Sequence, residues 1–230
     1  MIRENVAAIR SKIKQAAIAA KRDPNTILLC AACKMNDVAN IRAAVQAGVD
    51  CCGENRVQEL TAKLAENAYD GVPVHFIGHL QTNKVRQVVG SVELIQSVDS
   101  LRLIEAIQKE AAQKEIVQDI LLEVNIGLEP SKSGFLPEDI HKVCEKMAAF
   151  PNIRVKGLMA IPPNSTVFGK NRKFFQEMYN LSVDITAKKY DNVLVDILSM
   201  GMSDDFADAI ACGSTMIRIG TAIFGPRNYY

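Results

Sequence analysis

Eight short apolar runs divide the 230-residue chain, near positions 27–33, 49–52, 74–78, 92–97, 119–125, 153–159, 193–199 and 216–219. Helical patterns alternate with them, at 3–21, 56–68, 100–115, 137–149, 170–189 and 204–212. Runs that stay apolar on consecutive residues read as strands covered on both faces, and alternation with helices makes those strands parallel. Eight such units predict a closed (β/α)8 TIM barrel of the α/β class, spanning 1–230 as a single domain. A doubly wound open sheet is the alternative. It would need a glycine-rich first turn, whereas Lys34-Met35-Asn36-Asp37 follows the first run. Gly48 ends a helix, Pro137 opens one, and Ser203-Asp204-Asp205 offers an N-cap with acidic first-turn residues.

Composition narrows the function classes. The formal net charge of +1 recommends neither nucleic acid nor an anionic membrane as partner. No apolar stretch is long enough to span a bilayer, and Met1-Ile2-Arg3-Glu4-Asn5 does not resemble a signal peptide, so a cytoplasmic location is expected. Six cysteines lack metal-ligand spacing; buried free thiols in a reducing compartment are expected, with Cys30 and Cys33 on opposite strand faces. His75 and His79 stand at a strand-to-loop junction rather than on a helix face, so no metal site is expected. Asn164-Ser165-Thr166 matches a glycosylation sequon that carries no meaning without export.

Barrel function gathers at the C-terminal strand ends. That rule collects Lys34, Gly53-Glu54-Asn55, Gly78-His79, Ser97-Val98-Asp99, Asn125, Met159, and the segments beginning at Ser199 and Arg218 on one rim. Ser199-Met200-Gly201-Met202-Ser203 and Arg218-Ile219-Gly220-Thr221 are glycine- and hydroxyl-containing loops, suited by their backbone N–H groups to a phosphate dianion. Lys34, if partly desolvated, becomes a neutral amine able to attack an aldehyde; taken alone it reads first as a lysine snorkelling from a strand end, and the phosphate loops reverse that order. Arg218 either staples the last strand or faces a pyridine nitrogen, where a guanidinium would leave that nitrogen unprotonated. Together, phosphate loops, lysine and arginine meet the requirements of a pyridoxal phosphate site. Asn55 and His79 would flank the ring, or serve as helix caps and loop bonds. Ser131-Lys132-Ser133-Gly134 reads as an anion-binding loop or, more blandly, as a solvated one.

Several blocks carry a resemblance. They are Ala32-Cys33-Lys34, Gly53-Glu54-Asn55-Arg56-Val57-Gln58-Glu59, His75 to Lys84, Ser131 to Gly134, Gly157-Leu158-Met159, Leu198 to Phe206 and Gly213 to Gly225. In that order they resemble the pyridoxal phosphate homeostasis protein family (the YggS/PROSC proteins) along essentially the whole chain. The resemblance implies a barrel like the N-terminal domain of alanine racemase. It implies pyridoxal 5′-phosphate held as a Schiff base on Lys34, with Arg218 at the pyridine nitrogen and Asn55 near the ring. Ser199, Gly220 and Thr221, with backbone from Met200 and Gly201, would hold the phosphate. Two positions depart from the family's pattern: Cys33 and Met35-Asn36-Asp37 flank the lysine, and the acidic segment before Ser131 is shortened to Gly127-Leu128-Glu129-Pro130.

The implied role is vitamin B6 homeostasis, with the cofactor sequestered and supplied to apo-enzymes. Racemisation needs an acid/base group on each face of the substrate. None of Tyr69, Tyr179, Tyr190, Tyr229 and Tyr230 falls at an expected strand end, so no robust catalysis is expected. A weak amino-acid racemase and a cofactor-responsive regulatory module are the alternatives.

Overall fold

The computed structural model describes residues 1–163 and 169–226. The sequon at Asn164 and the residues Tyr229 and Tyr230 lie outside them. Strands β1 (Leu28–Ala32), β2 (Cys51–Glu54), β3 (Val74–Phe76), β4 (Leu94–Val98), β5 (Gln118–Val124), β6 (Ile153–Ala160), β7 (Val193–Ser199) and β8 (Met216–Ile219) close into a parallel barrel in chain order. The closing pair sets Cys30 against Arg218, and β1 pairs with β2 through Cys30 and Cys51. The expected TIM barrel is therefore the observed architecture.

Helices α1 (Ile2–Ala19), α2 (Val38–Gln46), α3 (Val57–Ala65), α4 (Val85–Val88), α5 (Leu101–Gln113), α6 (Ile140–Lys146), α7 (Arg172–Lys188), α8 (Phe206–Ala211) and α9 (Thr221–Phe224) accompany the strands. Local chemistry starts several of them. Asp37 accepts from the Asn40 N–H at 2.7 Å to open α2, and Ser100 accepts from the Leu103 N–H at 3.3 Å to open α5. Gly48 follows α2 in a left-handed conformation, and Pro137 begins a 3-10 turn that leads into α6. The cap expected from Ser203-Asp204-Asp205 is corrected. Helix α8 starts at Phe206 without a side-chain cap; Asp205 instead accepts from the Met202 N–H and from Asn171, each at 2.8 Å. Its carboxylate is thereby engaged by the preceding loop and by Asn171 rather than by the first-turn N–H groups of α8.

Period-two alternation divides the apolar residues between two compartments. Outward residues such as Leu29, Ala31, Cys52, Phe76 and Ile95 join the helices in the main core. Inward residues form two smaller clusters, Cys30 with Cys51 and Met216, and Leu94 with Leu121 and Met159. All six cysteines are buried and free, Cys30 inward and Cys33 outward as the alternation requires. No helix among the described residues is long and apolar enough to cross a membrane.

One glycine fixes the β6–β7 pairing. Gly157 sits at a register shift with φ of +147°, and a Cβ there would collide with the Ile197 carbonyl. Gly157→Ala should therefore cost at least about 3 kcal/mol in urea denaturation, from strain plus displaced backbone. Gly48→Ala, at φ of +92° with nothing within 4 Å, should cost only about 1 kcal/mol.

Candidate functional site

The C-terminal mouth of the barrel opens into a cavity of about 570 Å³. Lys34, Asn55, His79, Ser97, Glu123, Asn125, Arg218, Gly220 and Thr221 line it, with Ser131-Lys132-Ser133 and Met202-Ser203-Asp204 at its edge. Strand alternation explains most of this list. Ala32 and Lys34 continue the inward column of Cys30, Gly220 continues that of Met216 and Arg218, and Asn125 continues that of Leu121 and Glu123.

Of the residues singled out from sequence, Lys34, Asn55, Arg218, Gly220 and Thr221 share the cavity. Ser199, Met200 and Gly201 lie beneath it. The Ser199 hydroxyl donates to Gln96 Oε1 at 2.7 Å and accepts from Arg218 at 2.5 Å. The Met200 N–H is spent on the Met216 carbonyl, and the Gly201 carbonyl accepts from the Arg218 N–H. The part of that loop facing the cavity is Met202-Ser203-Asp204. Two further rim candidates lie elsewhere: Glu54 is buried among α3 side chains, and Met159 is in the barrel interior.

Arg218 is only 4 % exposed and bonds to the carbonyls of Ser199 (2.8 Å) and Ala160 (2.9 Å). It thus ties β8 to β7 and β6 through carbonyls, while one side borders the cavity. Burial lowers its pKa, although a guanidinium stays charged at any physiological pH. Asn55 is set by close backbone approach: a Cβ on Gly78 would strike the Asn55 backbone, so only glycine lets the β2 and β3 loops meet. The Asn55 Oδ1 is buried and has no hydrogen-bond partner among the described residues. It is an acceptor waiting for a donor.

No motif or spacing pointed to the clamp behind Lys34. Lys63 on α3 donates to the Cys33 carbonyl (3.0 Å), to Glu54 (2.7 Å) and to Glu59 (3.0 Å). Glu59, one helical turn earlier, accepts from the Met35 N–H at 2.7 Å, and Met35 takes a left-handed φ of +60°. The residues on either side of Lys34 are thereby fixed from one helix face. Burial opposes the Lys63 charge, but its two carboxylate partners raise its pKa above the ordinary lysine value. Tyr69 donates to the same Glu54 oxygen at 3.0 Å.

Glu123 also escaped the sequence reading, though its inward parity two residues before Asn125 could have found it. Burial and the nearby Asp99 push its pKa up to about 7, against the pull of Arg218 and His79. Asp99 pairs with His79 Nδ1 at 3.0 Å. Lys132 borders the cavity with its ammonium held by Glu129 and the Pro162 carbonyl. The cavity therefore holds an amine, a buried guanidinium, an orphaned acceptor, several hydroxyls and a carboxyl that titrates near neutrality.

The family model described as alanine racemase, N-terminal domain, matches residues 2–228. The pyridoxal phosphate homeostasis protein of Pseudomonas aeruginosa is 39% identical over 99% of this chain and 96% of its own. That of Aquifex aeolicus is 41% identical over 98% of each. This chain belongs to the pyridoxal phosphate homeostasis protein family. Among solved structures, PipY of Synechococcus elongatus with PLP bound superposes with a TM-score of 0.85 at 31% identity, over 98% of this chain and all of PipY. Alanine racemase of Clostridium difficile shares the fold, with a TM-score of 0.72 at 14% identity; this chain covers 58% of it.

Two tests follow from the site's charges. Lys63→Met would leave Glu54 buried without its cation and should destabilise the protein by about 3–5 kcal/mol in chemical denaturation. For Glu123, a folded-state pKa raised above the unfolded value means its contribution is fully present below about 4.5 and is lost as pH rises toward about 7. Glu123→Gln should therefore stabilise the cofactor-free protein at pH 8 by about 1–2 kcal/mol, allowing for partial solvation. The gain over wild type should vanish near pH 5 in parallel urea titrations.

Proposed function

We propose that this protein binds pyridoxal 5′-phosphate at Lys34 in the cytoplasm, keeps it sequestered, and releases it to apo-enzymes without robust catalysis of its own. The observation that carries the reading is the coincidence, in one open cavity, of Lys34, Arg218 and the unpartnered Asn55 Oδ1. The names of the relatives and the PLP-bound PipY structure support the choice of ligand. When bound, the cofactor supplies an aldehyde that condenses with a neutral amine, and a ring able to withdraw electrons.

The chain's own residues define what that chemistry can become. Lys34 would hold the aldehyde carbon, its position fixed through the clamped carbonyl of Cys33 and N–H of Met35. Arg218 would present N–H donors to the pyridine nitrogen, keep it unprotonated and limit carbanion stabilisation. Gly220 and Thr221, opposite Ser203, would hold the phosphate. We extend the phosphate site to Ser203 because the Ser199 hydroxyl is already engaged by Gln96 and Arg218. Asn55 Oδ1 would accept a hydrogen bond from the bound molecule.

Among the described residues no tyrosine lines the cavity, so the second acid/base group of a racemase of the alanine racemase type has no counterpart there. Glu123 favours the competing reading of a weak racemase. A carboxyl titrating at about 7 in the same cavity can both give and take a proton near neutral pH.

Lys34→Ala should abolish the visible absorbance of the cofactor-loaded protein, and borohydride reduction of wild type should fix the cofactor on the peptide carrying Lys34. A variant that keeps both signals would overturn the reading. Incubation with L-alanine should give no Lys34-dependent D-alanine above background. Turnover that disappears in both Lys34→Ala and Glu123→Gln would establish the racemase instead.

A further inference from the structure

We propose that Cys30, Cys51 and His75 form a binding site for a divalent metal ion of the zinc class inside the lower half of the barrel. Each comes from a different strand, β1, β2 and β3 in succession, and each has inward parity; Cys30 pairs with Cys51, and His75 pairs with Gly53, one inward position further along β2. Their two Sγ atoms and an imidazole nitrogen all lie within 4.8 Å of one another. The three residues are 0 %, 2 % and 4 % exposed. Sequence spacing conceals the set, since its members are separated by whole βα units.

The donor chemistry suits zinc. Two thiolates and one neutral imidazole balance a divalent charge, so the buried centre would be electrically neutral and avoid the cost of an isolated ion. Side-chain shifts on the order of 1 Å would bring ligands this close to Zn–S and Zn–N distances of about 2.3 and 2.0 Å. Burial lowers the His75 pKa to about 4, which keeps its ring in the lone-pair form that ligates metal. The hydrogen bond from Cys30 and burial raise the Cys51 thiol well above its ordinary value. Metal binding displaces two thiol protons to solvent and forms two metal–sulfur bonds and one metal–nitrogen bond, with no change of oxidation state.

The surroundings fit as well. Gln96 holds His75 Nδ1 at 2.9 Å, which leaves Nε2 for the metal. A metal on Nε2 puts the proton on Nδ1, and a flipped Gln96 amide would accept it through Oε1, the orienting contact that zinc-bound histidines commonly have. The Gln96 Nε2 would then replace Oε1 at the Ser199 hydroxyl, which would accept rather than donate. Met216 packs in the same cluster, and an adjoining cavity of about 210 Å³ at the barrel base offers room for a water as fourth ligand. That cavity is bordered by Asp50, Glu93, Asp119 and Lys156, with Asp50 paired to Arg10 and Asp119 to Arg154.

The test is zinc titration of the purified full-length protein under a non-chelating reductant, in competition with a chromophoric chelator, alongside cobalt substitution. One zinc per chain is expected, with an intense thiolate-to-cobalt absorption. Cys30→Ser, Cys51→Ser and His75→Gln should each weaken binding at least about tenfold. Cys33→Ser and Cys212→Ser should leave it unchanged. Failure to bind zinc, binding that survives Cys30→Ser, or a Cys30–Cys51 disulfide in thiol-blocked, freshly purified protein would each overturn the proposal. If the serine variants fail to fold by circular dichroism, cobalt-loaded wild type decides. A spectrum with thiolate charge transfer upholds the site, and one of oxygen and nitrogen donors alone refutes it.

Discussion

Closure of the barrel between its first and last strands is the constraint on which the rest of the molecule depends. The β1–β8 register sets Cys30 beside Arg218. Two residues further along each strand, the same inward parity delivers Ala32 and Gly220, and then Lys34 and the loop after β8. An amine near the start of the chain and a guanidinium near its end thus border one cavity. A one-residue slip would turn every inward side chain toward the helices, so the register is defended by the whole interior.

Charges that would otherwise be costly to bury hold this mouth in shape. Arg218 meets the carbonyls of two neighbouring strands and the Ser199 hydroxyl, and Lys63 meets two carboxylates and a carbonyl. Both cations are satisfied by groups that must not move if the cavity is to keep its form. Rigidity of this kind suits a site that captures a ligand without remodelling. The open mouth, by contrast, suits exchange.

Much of the architecture could be read from sequence because buried parallel strands announce themselves as uninterrupted apolar runs. The run at 216–219 coincides with β8, and that at 193–199 with β7. The four-residue helix α4 was too short to show a period. Within the site, Lys34 and Arg218 could be found because each closes or sits in such a run. Glu123 was hidden by reading β5 as apolar throughout, and Lys63 by its place on a helix whose charges look solvent-facing in sequence. The rim rule also overreached at Glu54, which the β2 pleat sends outward toward Lys63 and Tyr69.

The sequence by itself determined the fold class, the family and which residues stand at the strand ends. Hydrophobic period and motif order are properties of neighbours along the chain. Only the tertiary structure decided which hydroxyls reach the cavity, withdrawing Ser199 to Gln96 and Arg218 and advancing Ser203. It alone gathered Cys30, Cys51 and His75 into one buried cluster and set Glu123 near Asp99. The reason is physical: proximity across a barrel depends on register and closure, and a desolvated group's pKa depends on every strand that surrounds it.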